Sequence, residues 1–175
     1  MGADRAVRCA SVIAVIALAS ARLAVGASTR EHEAPTAASY VYVATVRKDG
    51  TQSRAVPVWF IATRDDDVLI DTNTDSWKAR RIRRGSPVLV WIGSRNGPAF
   101  LGRAEVVDGA VHEWMIEQIP KKYFLARVGL FGPSRAKFDA GKIITVRITA
   151  ERDLPEDFRS QPGAPAPSLN HGPEP

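Results

Sequence analysis

Short runs of β-branched and aromatic residues alternate with polar breaks over residues 39–107, which is the pattern of short β-strands joined by turns. The first two runs, SYVYVATV and SRAVPVWFIA, flank the segment KDGT. A β-hairpin is therefore predicted, with its turn at Asp49 and Gly50. Further strands are predicted at VLID, VLVWI and AFLGRAEVV, and a closing strand at KIITVRITA.

Two segments between these strands have helical patterns. Thr74 or Asp75 can cap a first helix that runs to about Arg84, where a glycine and a proline stop it. Asp108 can cap a second helix that Pro120 ends. Apolar residues recur on one face of this second helix: Val111, Trp114, Met115 and Ile119. Residues 121–141 are ambiguous and predict a short helix and a loop.

About six short strands and two helices, without regular βαβ alternation, predict a mostly antiparallel sheet or barrel with helices at its edge. This domain is assigned to residues 39–153, after a small and polar linker at residues 28–38. Residues 154–175 are rich in proline and have too few apolar side chains to offset the entropy of ordering. They are predicted to form a mobile tail.

The N-terminus has the layout of a secretory signal. Arg5 and Arg8 precede an apolar run from Cys9 to Ala21, and small residues around Ala27 allow cleavage there. Residues 1–27 are therefore predicted to be a signal peptide, with the mature protein exported to the periplasm or the cell exterior. The alternatives are an uncleaved membrane anchor, an organellar presequence, or a start codon placed too early, in which case the protein is cytoplasmic.

Composition narrows the function classes. An apolar content of 45% and a charged content of 25% are typical of a soluble globular chain. Cleavage after Ala27 removes three arginines and one aspartate, so the formal charge falls from +5 to +3. The same cleavage removes the single cysteine, which excludes disulfides and thiolate chemistry from the mature chain.

Metal binding and acid–base catalysis have little support in the sequence. His32, His112 and His171 lack paired ligand spacing, so no metal site is predicted, and His112 is expected on a helix surface. Asp65–Asp67 lie in a turn, where carboxylates are normally solvated, and no histidine is close to Ser76 in sequence to activate it. The catalytic residues therefore remain unknown.

The segment DTNTDSWKARRIRRGSP combines small polar residues with a burst of positive charge. Its cations spread around the predicted helix, with Lys78 nearest the buried side and Arg80, Arg83 and Arg84 outward. Since the mature charge is small and Trp77 is the one aromatic residue there, nucleic acid is not a predicted partner. Two interpretations remain: a solvated helix with one snorkelling lysine, or a phosphate cradle of hydroxyl and amide donors at a helix start.

Three segments taken in order resemble the pyridoxamine 5′-phosphate oxidase-like superfamily, the FMN-binding split barrels. They are YVYVATVRKDGTQSRAVPVWF, VLIDTNTDSWKARRIRR and GPAFLGRAEVV, and together they span about Tyr40 to Val107. The specific feature is the spaced combination of a hairpin ending in P-V-W-F with the motif T-N-x-x-S-x-K. The resemblance implies a six-stranded antiparallel split β-barrel that binds a flavin.

The resemblance also implies a set of cofactor-binding residues. Thr72, Asn73, Ser76 and Lys78 would meet the cofactor phosphate and ribityl chain, and Arg54 corresponds to a strand arginine that reaches the same phosphate. The isoalloxazine ring would lie beside the strand that contains Val56, Pro57 and Val58, and the backbone of this strand would offer groups to the polar edge of the ring. Members of the superfamily form homodimers with the cofactor at the subunit interface.

Two departures from the family pattern limit the reaction that can be inferred. Trp77 stands where the vitamin B6 oxidases have a second phosphate-binding arginine, and their C-terminal Arg- and His-containing segment is not found. The sequence therefore predicts an oxidoreductase that binds FMN, or a deazaflavin analogue, and moves hydride to or from a small unidentified substrate. The alternative is a non-catalytic flavin- or haem-binding split barrel of the cell envelope, which would touch a membrane only through an uncleaved N-terminus.

Overall fold

The computed structural model describes residues 38–129, 132 and 135–169. A sheet of antiparallel strands forms the centre, with strands β1 (Val41–Thr45), β2 (Val56–Val58), β3 (Ile61–Ala62), β4 (Val68–Asn73), β5 (Val88–Ile92), β6 (Ala99–Val106) and β7 (Ile143–Asp153). The helices are α1 (Trp77–Arg83), α2 (Gly109–Lys122), α3 (Phe124–Arg127) and α4 (Arg135–Asp139). The predicted signal segment 1–27, most of the linker 28–38 and the last residues of the chain lie outside the described residues.

Strand order forces this sheet to curl. The order is β2-β1-β5-β6-β7-β4-β3, so β2 and β3 lie at opposite edges of seven strands. In a flat sheet those edges would be about 29 Å apart, at roughly 4.8 Å per strand spacing. Yet only two residues, Trp59 and Phe60, separate β2 from β3, and a link of that length spans at most about 11 Å. The sheet therefore closes towards a barrel, which confirms the predicted fold class.

The described residues form seven strands, where about six were predicted. The predicted hairpin is confirmed, since β1 pairs with β2 in an antiparallel register that places Val41 opposite Val58. The difference arises because the run SRAVPVWFIA does not continue as one strand. It leaves the β1 edge after Val58 and joins β4 at the far edge, where Ile61 lies opposite Leu69.

Tyr123 stabilises the Trp59–Phe60 link between the edge strands β2 and β3. Its hydroxyl accepts a hydrogen bond from the Phe60 N–H and donates one to the Phe60 carbonyl, both at 3.0 Å. The Tyr123 ring stacks on Trp59, with centroids 4.5 Å apart. Phe60 lies outside the strand ladders, so one side chain satisfies both backbone groups of a buried residue that would otherwise lack partners.

The apolar residues divide into one cluster inside the barrel and two outside it. The interior cluster draws alternate residues from the long strands, and Ile82 of α1 packs against it from one end. One outer cluster contains Leu69 on β4, which α2 covers with Met115 and Ile119. The helix is capped by Asp108 as predicted, but Pro120 does not end it: α2 continues to Lys122, with the proline inside its last turn.

The C-terminal segment covers the second outer cluster, which corrects the prediction of a mobile tail. Residues 154–169 pack against β5 and β6: Leu154 is buried, and Phe158 stacks on Trp91 with centroids 5.9 Å apart. Gln52 fixes the segment further along, since its N–H donates to the Ala164 carbonyl at 2.8 Å. A few well-placed apolar anchors therefore order a segment whose average composition predicts disorder.

Candidate functional site

A largely apolar cavity of about 440 Å³ opens where β2, the end of β4 and the start of β7 meet α2 and α4. The polar groups of its wall come mainly from the end of β4, where buried residues give way to Asp71, Thr72 and Asn73. Described residues that line it are Tyr40, Pro57, Val58, Trp59, Asp71, Thr72, Asn73, Met115, Ile119, Gly132, Lys137 and Ile143. This is the concave, mostly apolar shape of a small-molecule site with a few polar contacts.

Half of the predicted cofactor-binding residues line this cavity. Pro57 and Val58 form one wall, and Thr72 and Asn73 lie where β4 ends. The other four, which are Arg54, Val56, Ser76 and Lys78, are not part of the cavity wall. They lie on the hairpin and on the connection from β4 into α1, and their contacts determine whether they can serve the same ligand.

Ser76 organises the turn between β4 and α1. It is the N-cap of the helix, because its hydroxyl accepts a hydrogen bond from the Ala79 N–H at 3.1 Å, so the predicted cap at Thr74 or Asp75 is wrong by one or two residues. The Ser76 and Thr72 hydroxyls lie 3.3 Å apart. Asn73 Oδ1 accepts from the Asp75 N–H, and the Asn73 amide donors have no partner among the described residues.

Lys78 lies in the first turn of α1 and is half-buried. Among the described residues, no carboxylate lies within ion-pair distance of it. Burial lowers the pKa of its ammonium group to about 8. A desolvated cation without a counter-ion is costly, and an anionic ligand would remove that cost.

Arg54 is exposed, but the hairpin segment that carries it and helix α1 both contact Thr45. The Thr45 hydroxyl lies 3.2 Å from the hydroxyl of Ser53, the neighbour of Arg54, and accepts a hydrogen bond from Arg81 at 3.1 Å. Burial, followed by repulsion from Arg47, lowers the pKa of Arg81. The hairpin and helix therefore bring Arg47, Arg81 and Arg84 close together.

Trp77 is largely exposed, at 68%, and carries the guanidinium of Arg80 at 5.1 Å from its ring centroid. The predicted outward position of Arg80, Arg83 and Arg84 is confirmed, since all three are exposed. Arg83 and Arg84 nevertheless donate hydrogen bonds to backbone carbonyls, so they also support the fold.

A polar network behind the cavity escaped sequence reasoning. His112 is fully buried, contrary to the predicted surface position, and its ring stacks on Phe138 at 3.9 Å. Its Nδ1 lies 2.7 Å from the Thr145 hydroxyl, which donates to Asp71 Oδ1 at 2.6 Å. Helical spacing could have predicted the burial of His112, because this residue lies three positions before Met115 on the buried face of α2. The link to Asp71 depends on strand register, which the sequence does not specify.

Within residues 38–129, 132 and 135–169, no group of three His, Cys, Asp or Glu side chains could hold a metal ion. In the same ranges no helix has the length and apolar character needed to cross a membrane.

The sheet of this chain closes towards a barrel and has a cavity beside the T-N-x-x-S-x-K turn, which places its fold in the class of split-barrel proteins. The family model described as Pyridoxamine 5'-phosphate oxidase matches residues 28–153 of the chain. The chain therefore belongs to the pyridoxamine 5′-phosphate oxidase-like family. No curated protein matches the sequence.

Solved structures resemble the fold at low sequence identity. The FAD and Heme binding protein from Mycobacterium smegmatis is 18% identical, with a TM-score of 0.51 over 79% of this chain and 73% of that one. The flavocytochrome Anf3 from Azotobacter vinelandii is 17% identical, with a TM-score of 0.49 and coverages of 81% and 78%. A Putative Pyridoxamine 5'-phosphate oxidase from Listeria innocua is 19% identical, with a TM-score of 0.48 and coverages of 66% and 86%. At these identities the likeness concerns the fold alone.

Proposed function

We propose that the chain binds FMN, or a deazaflavin analogue, and moves hydride between that cofactor and a small substrate. The observation that carries the proposal is Lys78, a half-buried cation without a described carboxylate partner, in the first turn of α1 two residues after Ser76. When bound, a flavin supplies the hydride chemistry itself. The chain's residues then have to bind it, orient it and exclude water.

The residues fit the phosphate of such a cofactor. Lys78 offers a charge, the Thr72 and Ser76 hydroxyls lie together, and the Asn73 amide has free donors. The seven-residue α1 adds little through its dipole, and Ser76 already caps it, so the lysine is the main source of attraction. Arg54, which is exposed on the hairpin, would supply a second positive charge.

The cavity wall fits a planar ring with one polar edge. Among the described strands β2 pairs only with β1, so its other side is open to a ligand. The backbone groups of alternate residues point to the same side of a strand, so this side would carry either those of Val56 and Val58 or those of Pro57, which lacks an N–H. Trp59 closes the apolar wall next to them.

Two further proposals follow from the family. We propose a homodimer with the cofactor at the subunit interface, which the exposed position of the edge strand β2 and of Trp77 favours. We also propose export through the N-terminal signal. Size-exclusion chromatography with light scattering tests the first, and N-terminal sequencing of the mature protein tests the second.

The binding proposal is tested by titrating the purified protein with FMN and, separately, with a deazaflavin cofactor. We expect Lys78→Ala to weaken binding about tenfold to a hundredfold, since a charge-assisted hydrogen bond contributes roughly 1.5–3 kcal/mol. Arg80→Ala is the matched control, because it removes one charge from the same helix at an exposed position. Equal affinity of both variants and the wild type contradicts the phosphate site.

Turnover is separated from mere cofactor storage by a second measurement. The bound cofactor is reduced without oxygen, and its reoxidation by oxygen or by candidate acceptors is compared with that of free cofactor. Faster reoxidation on the protein supports an oxidoreductase. A rate that is equal or slower supports the alternative, in which the barrel holds flavin or haem without catalysis.

A further inference from the structure

We propose that Asp71, Thr145 and His112 form a proton relay that ends at the cavity, with Asp71 as its cavity end. The use of the relay in catalysis rests on the proposed function. The relay itself rests on the geometry of three residues that come from β4, β7 and α2.

The donors and acceptors of the network define one protonation state. Asp71 and Thr145 are directly opposite in the β4–β7 register, and the Thr145 hydroxyl donates to Asp71 Oδ1 at 2.6 Å. A hydroxyl has a single proton, so the 2.7 Å contact to His112 Nδ1 has to be one in which the ring nitrogen donates. In this state Asp71 is a carboxylate and His112 carries its proton on Nδ1.

The same atoms allow the reverse state. If Asp71 holds a proton on Oδ1, it donates to Thr145, whose hydroxyl turns and donates to a bare His112 Nδ1. When Nε2 is protonated as well, His112 starts as an imidazolium, and passage between the two states moves its Nδ1 proton to Asp71 without displacement of a heavy atom. The ring is then neutral, with its proton on Nε2. Burial raises the pKa of Asp71, partly offset by the hydrogen bond from Thr145 and by His112, so the protonated form of this carboxyl group is accessible.

Each end of the network has one polar atom that could form a further hydrogen bond. Asp71 Oδ2 and His112 Nε2 are both buried, and neither has a hydrogen-bond partner within the part of the chain that the structure describes. His112 is fully buried against Phe138, whereas the Asp71 side chain keeps 15% of its surface exposed and lines the cavity. Buried polar atoms are normally paired, so these two atoms leave each end of the network open to a further partner.

A second aspartate–threonine pair lies four residues away and lacks these properties. Thr149 donates to Asp67 Oδ1 at 2.7 Å, which matches the Thr145–Asp71 bond. Asp67, however, also faces Arg147 at 3.5 Å, and it does not line the cavity. The pair at Asp67 is therefore a natural control for the pair at Asp71.

The relay would complete the hydride chemistry of the site. Reduction of a polarised double bond needs one hydride, which a reduced flavin or deazaflavin supplies, and one proton for the other atom of that bond. Among the described cavity-lining residues, Asp71 is the single carboxylic acid. Asp71 gives up its proton to that atom and becomes a carboxylate, and an imidazolium at His112 restores it through Thr145 and is left neutral. The cycle closes when His112 takes up a proton from solvent. The other titratable groups of the cavity wall are Tyr40 and Lys137.

Coupling between the two ends is measured by NMR on the full chain, with ¹³Cγ of Asp71 and the ring ¹⁵N nuclei of His112 followed against pH. Coupled groups share macroscopic transitions, so we expect both nuclei to report the same midpoints. Because His112 Nδ1 and Asp71 Oδ1 also lie 3.6 Å apart, Thr145→Val should weaken the coupling to its direct electrostatic part. Thr145→Ser should restore the shared midpoints, and Thr149→Val should leave them unchanged. Independent titration in the wild type, or no effect of Thr145→Val, overturns the relay.

The position of Asp71 at the site is measured by repeating the titration with FMN. We expect FMN to shift the Asp71 midpoint and to leave that of Asp67 unchanged. Bound FMN without an effect on Asp71 overturns its place at the cavity end. Failure of the wild type to bind FMN or deazaflavin overturns the proposed function instead, and the coupling between Asp71 and His112 then decides the relay by itself.

Discussion

Replacement of Tyr123 by phenylalanine tests how the barrel edges are joined. The ring and its stack on Trp59 remain, and only the hydroxyl is lost. That hydroxyl serves both the N–H and the carbonyl of Phe60, which is fully buried. Each buried backbone group left without a partner costs about 1–3 kcal/mol, so we expect the free energy of unfolding to fall by about 2–4 kcal/mol, allowing for some relaxation.

The assay is equilibrium unfolding in urea, followed by tryptophan fluorescence and by circular dichroism. A loss of stability should lower the midpoint with little change in the slope. Tyr42→Phe is the matched control, because the Tyr42 hydroxyl has no hydrogen bond to a described residue and its loss should change stability by less than about 0.5 kcal/mol. Equal midpoints for the two variants would refute the role assigned to the Tyr123 hydroxyl.

Three further predictions concern the cofactor site, the C-terminal segment and a strand glycine. Because the pKa of Lys78 is about 8, its positive charge is present below that pH, and FMN affinity should fall as the pH rises past about 8. In the same fluorescence titration Lys78→Arg, which stays charged, should remove this pH dependence. Phe158→Ala should lower the free energy of unfolding by about 1–3 kcal/mol, because the ring stacks on Trp91; the control Phe124→Ala, at a site 65% exposed, should not. Gly102→Ala should lower the melting temperature, since the new Cβ would lie 2.6 Å from the Thr149 carbonyl oxygen; Gly109→Ala, whose nearest contact is 3.7 Å, should not.

The sequence predicted the fold well wherever a local pattern decided the structure. Alternation and turn chemistry located the first hairpin, and Asp108 marked the start of α2. Sheet closure was not predictable from such patterns, since the break after Val58 depends on β4 being available at the opposite edge.

The candidate site was predictable only in part. The T-N-x-x-S-x-K motif located the turn that holds Thr72 and Lys78, because all of its residues are close in sequence. His112 and Thr145 are 33 residues apart and meet Asp71 only through strand register and helix packing. Composition also failed at the C-terminal segment, where Phe158 anchors a stretch that is polar on average.

Identification of the small molecule that the purified protein binds is the most direct test of the central claim. The protein is purified from a host that makes both flavins and deazaflavins, and the bound molecule is identified by its absorption spectrum and mass. We expect the bound molecule to be FMN or a deazaflavin, with affinity that Lys78→Ala lowers and Arg80→Ala does not. A protein that stays colourless and binds neither cofactor on titration would contradict it.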